Sequence, residues 1–343
     1  MFPRERVLAA LHHQPTDRAP RDYSAHAEVN DRLIARLGLR DYEELLQFLQ
    51  IDMRRVGGFS YAPPPPEPDA DGFTHDLWGV RGHVQHQGER LCPFDENTTV
   101  DDVEAHLWPS PDALDYSQIR QQCAQFHDDY VTYGAPWCPF FHEVGWLIGQ
   151  ETYFIWMHTK PEVVEALTRR MVDYEIAVTQ RFLEEARGLL DVYYVGNDFG
   201  SQRGLVISPE MWERFLRPSL RRFYDLAHDY GCFVMQHSCG AIRSIIPQLI
   251  ADGVDILDPI QVRAEGMALE GIYRDFGPQL ILHGGVDTQH LLPHGTPDQV
   301  RAQVRAYREL TRDAGGYLLT GSQDFIADIP DENILTMYEA TAE

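Results

Sequence analysis

The chain of 343 residues is 43% apolar and 24% charged, the balance of a globular protein rather than a disordered or fibrous one. Its 53 acidic residues against 29 basic ones give a net charge of -24, which repels phosphate backbones and argues against nucleic-acid binding. Five scattered cysteines form no disulfide framework, no apolar run reaches membrane-spanning length, and residues 1–15 interleave charges, so a cytoplasmic protein with no membrane partner is expected.

In chain order, Val7, Leu8 and Leu11 give a first helical stripe opened by Pro3. A short extended stretch is expected at 19–24, a helix over 27–37 closed by Gly38, and a capped helix after Asp41 and Glu44. Residues 51–56 read as a strand. The pattern then breaks over 57–129, which contains Pro63–Pro66 and an expected hairpin (FTHDLWGVRGHVQHQ) carrying His83 and His86. This stretch is too polar for a core of its own and reads as an excursion, a lid or insertion within one domain.

Alternation returns with a strand at 130–135, a long helix over 161–187 and a strand at 191–197. A helix from Ser208 to Gly231 is expected to bend at Pro218. Strands at 232–238, 255–260, 280–284 and 317–321 follow, with helices between them and a last one in PDENILTMYEA. Eight strand candidates alternating with helices predict an α/β fold, a single-domain (β/α)8 TIM barrel. A doubly wound sheet is disfavoured because no G-x-G-x-x-G follows the first strand.

In such a barrel chemistry sits where strands end. Those ends carry Arg55, Glu143, Asp198, His237 with Cys239, Gln261, His283 with Asp287, and Ser322-Gln323-Asp324. A Schiff-base mechanism would have to use Lys160, the only lysine, which stands at a helix entry before Pro161. The most informative stretch is His237-Ser238-Cys239-Gly240. Residues i and i+2 of a strand share a face, and an imidazole with a thiolate is a donor pair zinc prefers. The bland alternative is a buried thiol beside an orienting histidine. Cys138 and Cys232 both read as packing thiols, with Cys138 the one that could approach the site. No HExxH, P-loop, G-x-S-x-G or CxxC is present.

Five segments carry a resemblance: MFPRERVLAALHHQPTDRAP, VGNDFGSQRGLVISPEMWERFLRP, QHSCGAIRSIIPQLIADGVDILDPIQ, LHGGVDTQHLL and IPDENI. In order and spacing they resemble the uroporphyrinogen decarboxylase superfamily, which implies a TIM barrel and commonly a homodimer. One branch of that superfamily decarboxylates uroporphyrinogen and carries an arginine-bearing W-x-M-R-Q-A-G-R. Here that place reads APRDYSAHAEV, without the arginine pair a many-carboxylate substrate needs.

The other branch contains cobamide-dependent methyltransferases that use zinc. It carries H-x-C and a distant cysteine before a final P-x-E-N. His237 and Cys239 match the first two metal ligands, whereas the third place falls near Gln323, in TGSQDF. The resemblance therefore implies either zinc held by His237, Cys239 and an oxygen donor, with Asp198 or Gln323 completing or buffering the shell, or a metal that is lost or different. With a small methylated substrate, the strand-end residues Arg55, Gln261, His283 and Gln323 are expected to contact it, and Asp198, Glu143 and Asp287 are expected as catalytic groups that position substrate or move protons. Any corrinoid would ride on a separate carrier protein, since no D-x-H-x-x-G is present. The alternatives are a decarboxylase of another carboxylic acid, with Asp198 stabilising charge or moving a proton, and a non-catalytic ligand-binding barrel.

Overall fold

The computed structural model describes residues 1–57, 60–61, 67–83 and 90–342. The expected proline run Pro63–Pro66 and His86 lie outside the described residues. Seven parallel strands form one curled sheet in sequence order: β1 (Met53–Arg55), β2 (Val131–Trp137), β3 (Val192–Gly196), β4 (Phe233–His237), β5 (Ile256–Ile260), β6 (Ile281–Gly284) and β7 (Tyr317–Leu318). Each corresponds to a strand expected from sequence. The stretch expected at 19–24 is extended but carries only isolated bridges, of Arg21 to Leu319 and Ala25 to Phe325. Its backbone is nonetheless bonded on both sides. Leu319 donates to Pro20 and Asp22 donates to Leu319, while Asp52, just before β1, donates to the Arg21 carbonyl.

The inside of the sheet is layered. Met53, Val131, Val192, Met235, Ile256, Ile281 and Leu318 give one apolar side chain per strand to an inner cluster. Val7, Ala10 and Leu11 of the Pro3–Leu11 helix close that cluster from below. The lower end is therefore packed shut, and the space above it is left for polar groups at the strand ends.

Outside the sheet, the Pro161–Glu185 helix is the largest element, with Pro at its first turn as the sequence requires. The helix expected over 208–231 breaks at Leu216 into Pro209–Phe215 and Arg217–Asp229, two residues before the expected bend. Two further helices after β2, Phe140–Ile148 and Gln150–Thr159, have no counterpart in the sequence reading. Within the excursion, Phe73–His75 pairs antiparallel with Arg81–His83, and Ser60–Tyr61 pairs with Leu114–Asp115. Trp78, Val80, Phe94, Val103 and Ile119 are buried in the same cluster as the main body. These described residues of the excursion thus share one core with the helices packed on the curled sheet. Among the described residues no helix is long and apolar enough to cross a membrane.

Candidate metal centre at the strand ends

A cavity of about 330 Å³ opens at the C-terminal ends of the strands. Of the residues expected at the site, it brings together Arg55, Asp198, His237, Cys239, His283 and Gln323. The β4–β5 register sets Asp258 level with His237. Asp258 then binds two imidazoles at once: Oδ2 lies 2.7 Å from His237 Nδ1 and Oδ1 lies 2.5 Å from His283 Nδ1. The far side of His283 meets Asp22, with Nε2 to Oδ2 at 3.1 Å. The Tyr194 hydroxyl donates to Asp258 Oδ2 at 2.7 Å.

This leaves His237 Nε2 facing the cavity. It lies 3.4 Å from Cys239 Sγ and 3.3 Å from an Asp198 oxygen. The three donor atoms all fall within 4.8 Å of one another. Tetrahedral coordination with metal–ligand bonds near 2.0–2.3 Å has ligand–ligand edges of roughly 3.3–3.7 Å, so this spacing suits a divalent metal. The carboxylate behind Nδ1 is the outer partner that metal-bound histidines characteristically have. Gln323 completes the surround, its amide nitrogen donating to Cys239 Sγ at 2.9 Å. The nitrogen, sulfur and oxygen donor set suits a divalent metal such as zinc.

Local backbone explains the convergence. The Cys239 amide donates to Asp198 Oδ1 at 2.9 Å, tying the β3 and β4 ends together. Gly240 turns the chain away with φ of 85°, and a Cβ there would sit 2.3 Å from the Gly200 carbonyl carbon. No other residue fits that approach. Trp137, at the end of β2, holds φ of 73° and Cys138 holds 47°, conformations that cost a non-glycine residue energy. They aim the Trp137 indole over Gly196 and against the His237 ring, with centroids 5.1 Å apart.

Electrostatics follow the same geometry. Burial by itself would lower the His237 pKa, but its bonds to Asp198, Asp258 and Cys239 raise it well above the usual range. Burial opposes the charged form of His283 too, yet Asp258 and Asp22 push it up to about 10. The two imidazoles outweigh burial at Asp258 and hold that carboxyl far below its ordinary range. Asp198 is likewise depressed, its burial outweighed by His237 and the Cys239 amide.

Three expected site residues lie elsewhere. Asp287 turns inward to cap a short turn, accepting from the Gln289 and His290 amides at 2.9 and 3.1 Å. Gln261 accepts from the Gly240 amide at 2.7 Å and so supports the turn from behind. Glu143, in the Phe140–Ile148 helix, has a buried oxygen with no bonding partner among the described residues, and burial pushes its pKa up to about 7. Cys138 is fully packed against Thr179 and the Glu175 carbonyl, away from the metal donors. Asp22, Tyr194 and Asp258 were missed by the sequence reading. The available signal for Asp258 was an aspartate inside an otherwise apolar strand, ILDPI, next to Pro259.

The profile of the uroporphyrinogen decarboxylase (URO-D) family matches residues 130–343. The chain belongs to that family. It is similar to a methylated-thiol–coenzyme M methyltransferase of Methanosarcina mazei, 26% identical over 165 residues. That match covers 48% of this chain and 41% of the relative, so the chain spans about two fifths of the length of the curated protein it matches. A solved methyltransferase from Methanosarcina mazei superposes with a TM-score of 0.63 at 17% identity, covering 99% of this chain and 98% of the other. That likeness establishes the fold of this URO-D family member end to end. Arg21 is buried and bound to the Leu49 carbonyl and to Thr341, so it presents no cation to the cavity.

Proposed function

We propose that this URO-D family chain is a zinc-dependent methyltransferase acting on a small methylated substrate with a separate corrinoid protein. The observation that carries the reading is the Asp198–His237–Cys239 donor set, with Asp258 fixing His237 from behind. His237 Nε2, Cys239 Sγ and Asp198 would hold the metal, leaving one position open to substrate. Bound zinc would supply a Lewis acid that stabilises sulfur as a thiolate when its bond to the methyl carbon breaks. The chain's own residues orient that event. Asp258 and Tyr194 fix the imidazole, Gln323 donates to Cys239, and Trp137 covers one side. The name of the Methanosarcina relative, which acts on methylated thiols, supports sulfur as the substrate atom. The proposal includes a closed eight-stranded barrel, with residues 19–25 in the eighth position between β7 and β1, supported by the bonds of Pro20, Arg21 and Asp22.

A tetrapyrrole with many carboxylates would meet one guanidinium, that of Arg55, among the described lining residues. That counts against porphyrinogen decarboxylation. The test is elemental analysis of the purified protein paired with methyl transfer to a corrinoid. Stoichiometric zinc is expected, together with loss of both metal and transfer in Cys239→Ala. A metal-free protein whose transfer is untouched by Cys239→Ala would remove the zinc mechanism.

A further inference from the structure

The charges lining the cavity divide into two sets. Asp22, Asp258 and Asp198 are each engaged by an imidazole or a backbone amide, and so are His237 and His283 by them. Arg55 and Asp324 are different. Both line the cavity, both are exposed, and neither forms an ion pair or a side-chain hydrogen bond with any described residue. They also do not pair with each other. The Arg55 guanidinium lies instead 5.3 Å from the centre of the Tyr194 ring. An arginine resting on an aromatic face keeps its N–H fork free, and that fork matches a carboxylate in two parallel bonds. One free cation and one free anion in a small cavity, with every other described charge internally matched, is the complement of a ligand bearing one charge of each sign.

We infer that the substrate is a zwitterion, a small amino acid whose carboxylate docks on Arg55 and whose ammonium faces Asp324. Its methylated sulfur then points at His237 and Cys239. Tyr194 links the two ends, since its ring meets Arg55 on one side and His237, with centroids 6.2 Å apart, on another. A span of this kind accommodates a short side chain between head group and sulfur. The cavity, at about 330 Å³, suits a ligand of that size. The orientation of the ligand rests on the methyl-transfer reading; the head-group clamp does not.

The test is calorimetric titration of the metal-loaded full-length protein with three ligands sharing one methylthio group. These are methionine, methylthiobutanoate, which lacks the ammonium, and methylthiopropylamine, which lacks the carboxylate. A charge-assisted contact is worth about tenfold or more in affinity, so methionine should bind at least ~10-fold tighter than either analogue. Arg55→Leu should abolish the preference over methylthiopropylamine while leaving the affinity for that amine in place. Asp324→Asn should abolish the preference over methylthiobutanoate in the same way. Undetectable methionine binding, equal affinity for all three ligands, or a full preference kept in either variant would overturn the clamp. Methyl transfer from the same ligands separates the two ideas. A methionine preference without any transfer keeps the clamp and removes the methyltransferase reading. Transfer from all three thioethers without preference keeps the methyltransferase reading and removes the clamp.

Discussion

Two groups of acidic side chains in this molecule meet opposite fates. At the strand ends, Asp22, Asp258 and Asp198 face imidazoles or amide hydrogens, and the charged form wins over burial at Asp258 and Asp198. Between the Phe140–Ile148 and Pro161–Glu185 helices, Glu143 and Glu175 interact with each other, and neither forms an ion pair with a described residue. Burial pushes both pKa values up, Glu143 to about 7 and Glu175 well above its ordinary value. Each of the two also has a buried oxygen without a hydrogen-bond partner among the described residues. The same functional group is therefore held in its charged form in one place and pushed toward its neutral form in the other. What decides is the partner, not the depth. An acidic residue near a strand end is thus a poor guide to chemistry until its neighbour is known.

The sharpest way to break this contrast is to neutralise the central anion. Asp258→Asn leaves both His237 and His283 without their shared carboxylate. Metal affinity should fall by about 10–100-fold, the usual cost of losing the outer partner of a ligating histidine. Competition with a chromophoric chelator measures it, and an unchanged affinity would remove Asp258 from the site. The covering wall comes next. In Gly196→Ala the new methyl would sit 2.3 Å from the Trp137 indole, so the ring must move. A stability loss of about 1–3 kcal/mol is expected, with weaker substrate binding, read by denaturant titration and by KM.

The neutral pair makes a prediction with a sign. The folded chain holds the Glu143 proton up to about pH 7, whereas the unfolded chain releases it near 4.5. Stability from this group is fully present below the lower value and is lost as pH rises through the higher one. Glu143→Gln should therefore gain on the wild type between about pH 5 and 8, by roughly 1–3 kcal/mol. Parallel stability curves for the two proteins over that interval would show that Glu143 ionises normally. The smallest effect belongs to Asp287→Ala. Loss of a cap should cost about 1 kcal/mol with no change in zinc content. Loss of methyl transfer in that variant would return Asp287 to the catalytic role expected from sequence.

Much of this was legible in the chain, for identifiable reasons. Strand and helix periodicity located β1 to β7, and two-residue parity put His237 and Cys239 on one side. The family resemblance, through the cysteine place counted back from Pro330, pointed to Gln323, which does lie against Cys239. Asp258 was not legible because its importance comes from the register of β4 against β5, a relation between segments rather than within one. Asp22 escaped for a similar reason. It reaches His283, 261 positions away, through the meeting of the chain's first extended stretch with its last strand. Glu143 and Asp287 were selected by proximity to strand ends, and sequence proximity does not report which way a side chain turns.

The helix that stoppers the lower end of the sheet has a consequence for traffic. With Val7, Ala10 and Leu11 wedged under the strands, the described cavity is a blind well. On the corrinoid-partner proposal, a small ligand and that partner would share one doorway, so a partner docked there would trap a ligand already beneath it, and turnover would become an ordered sequence of arrivals and departures.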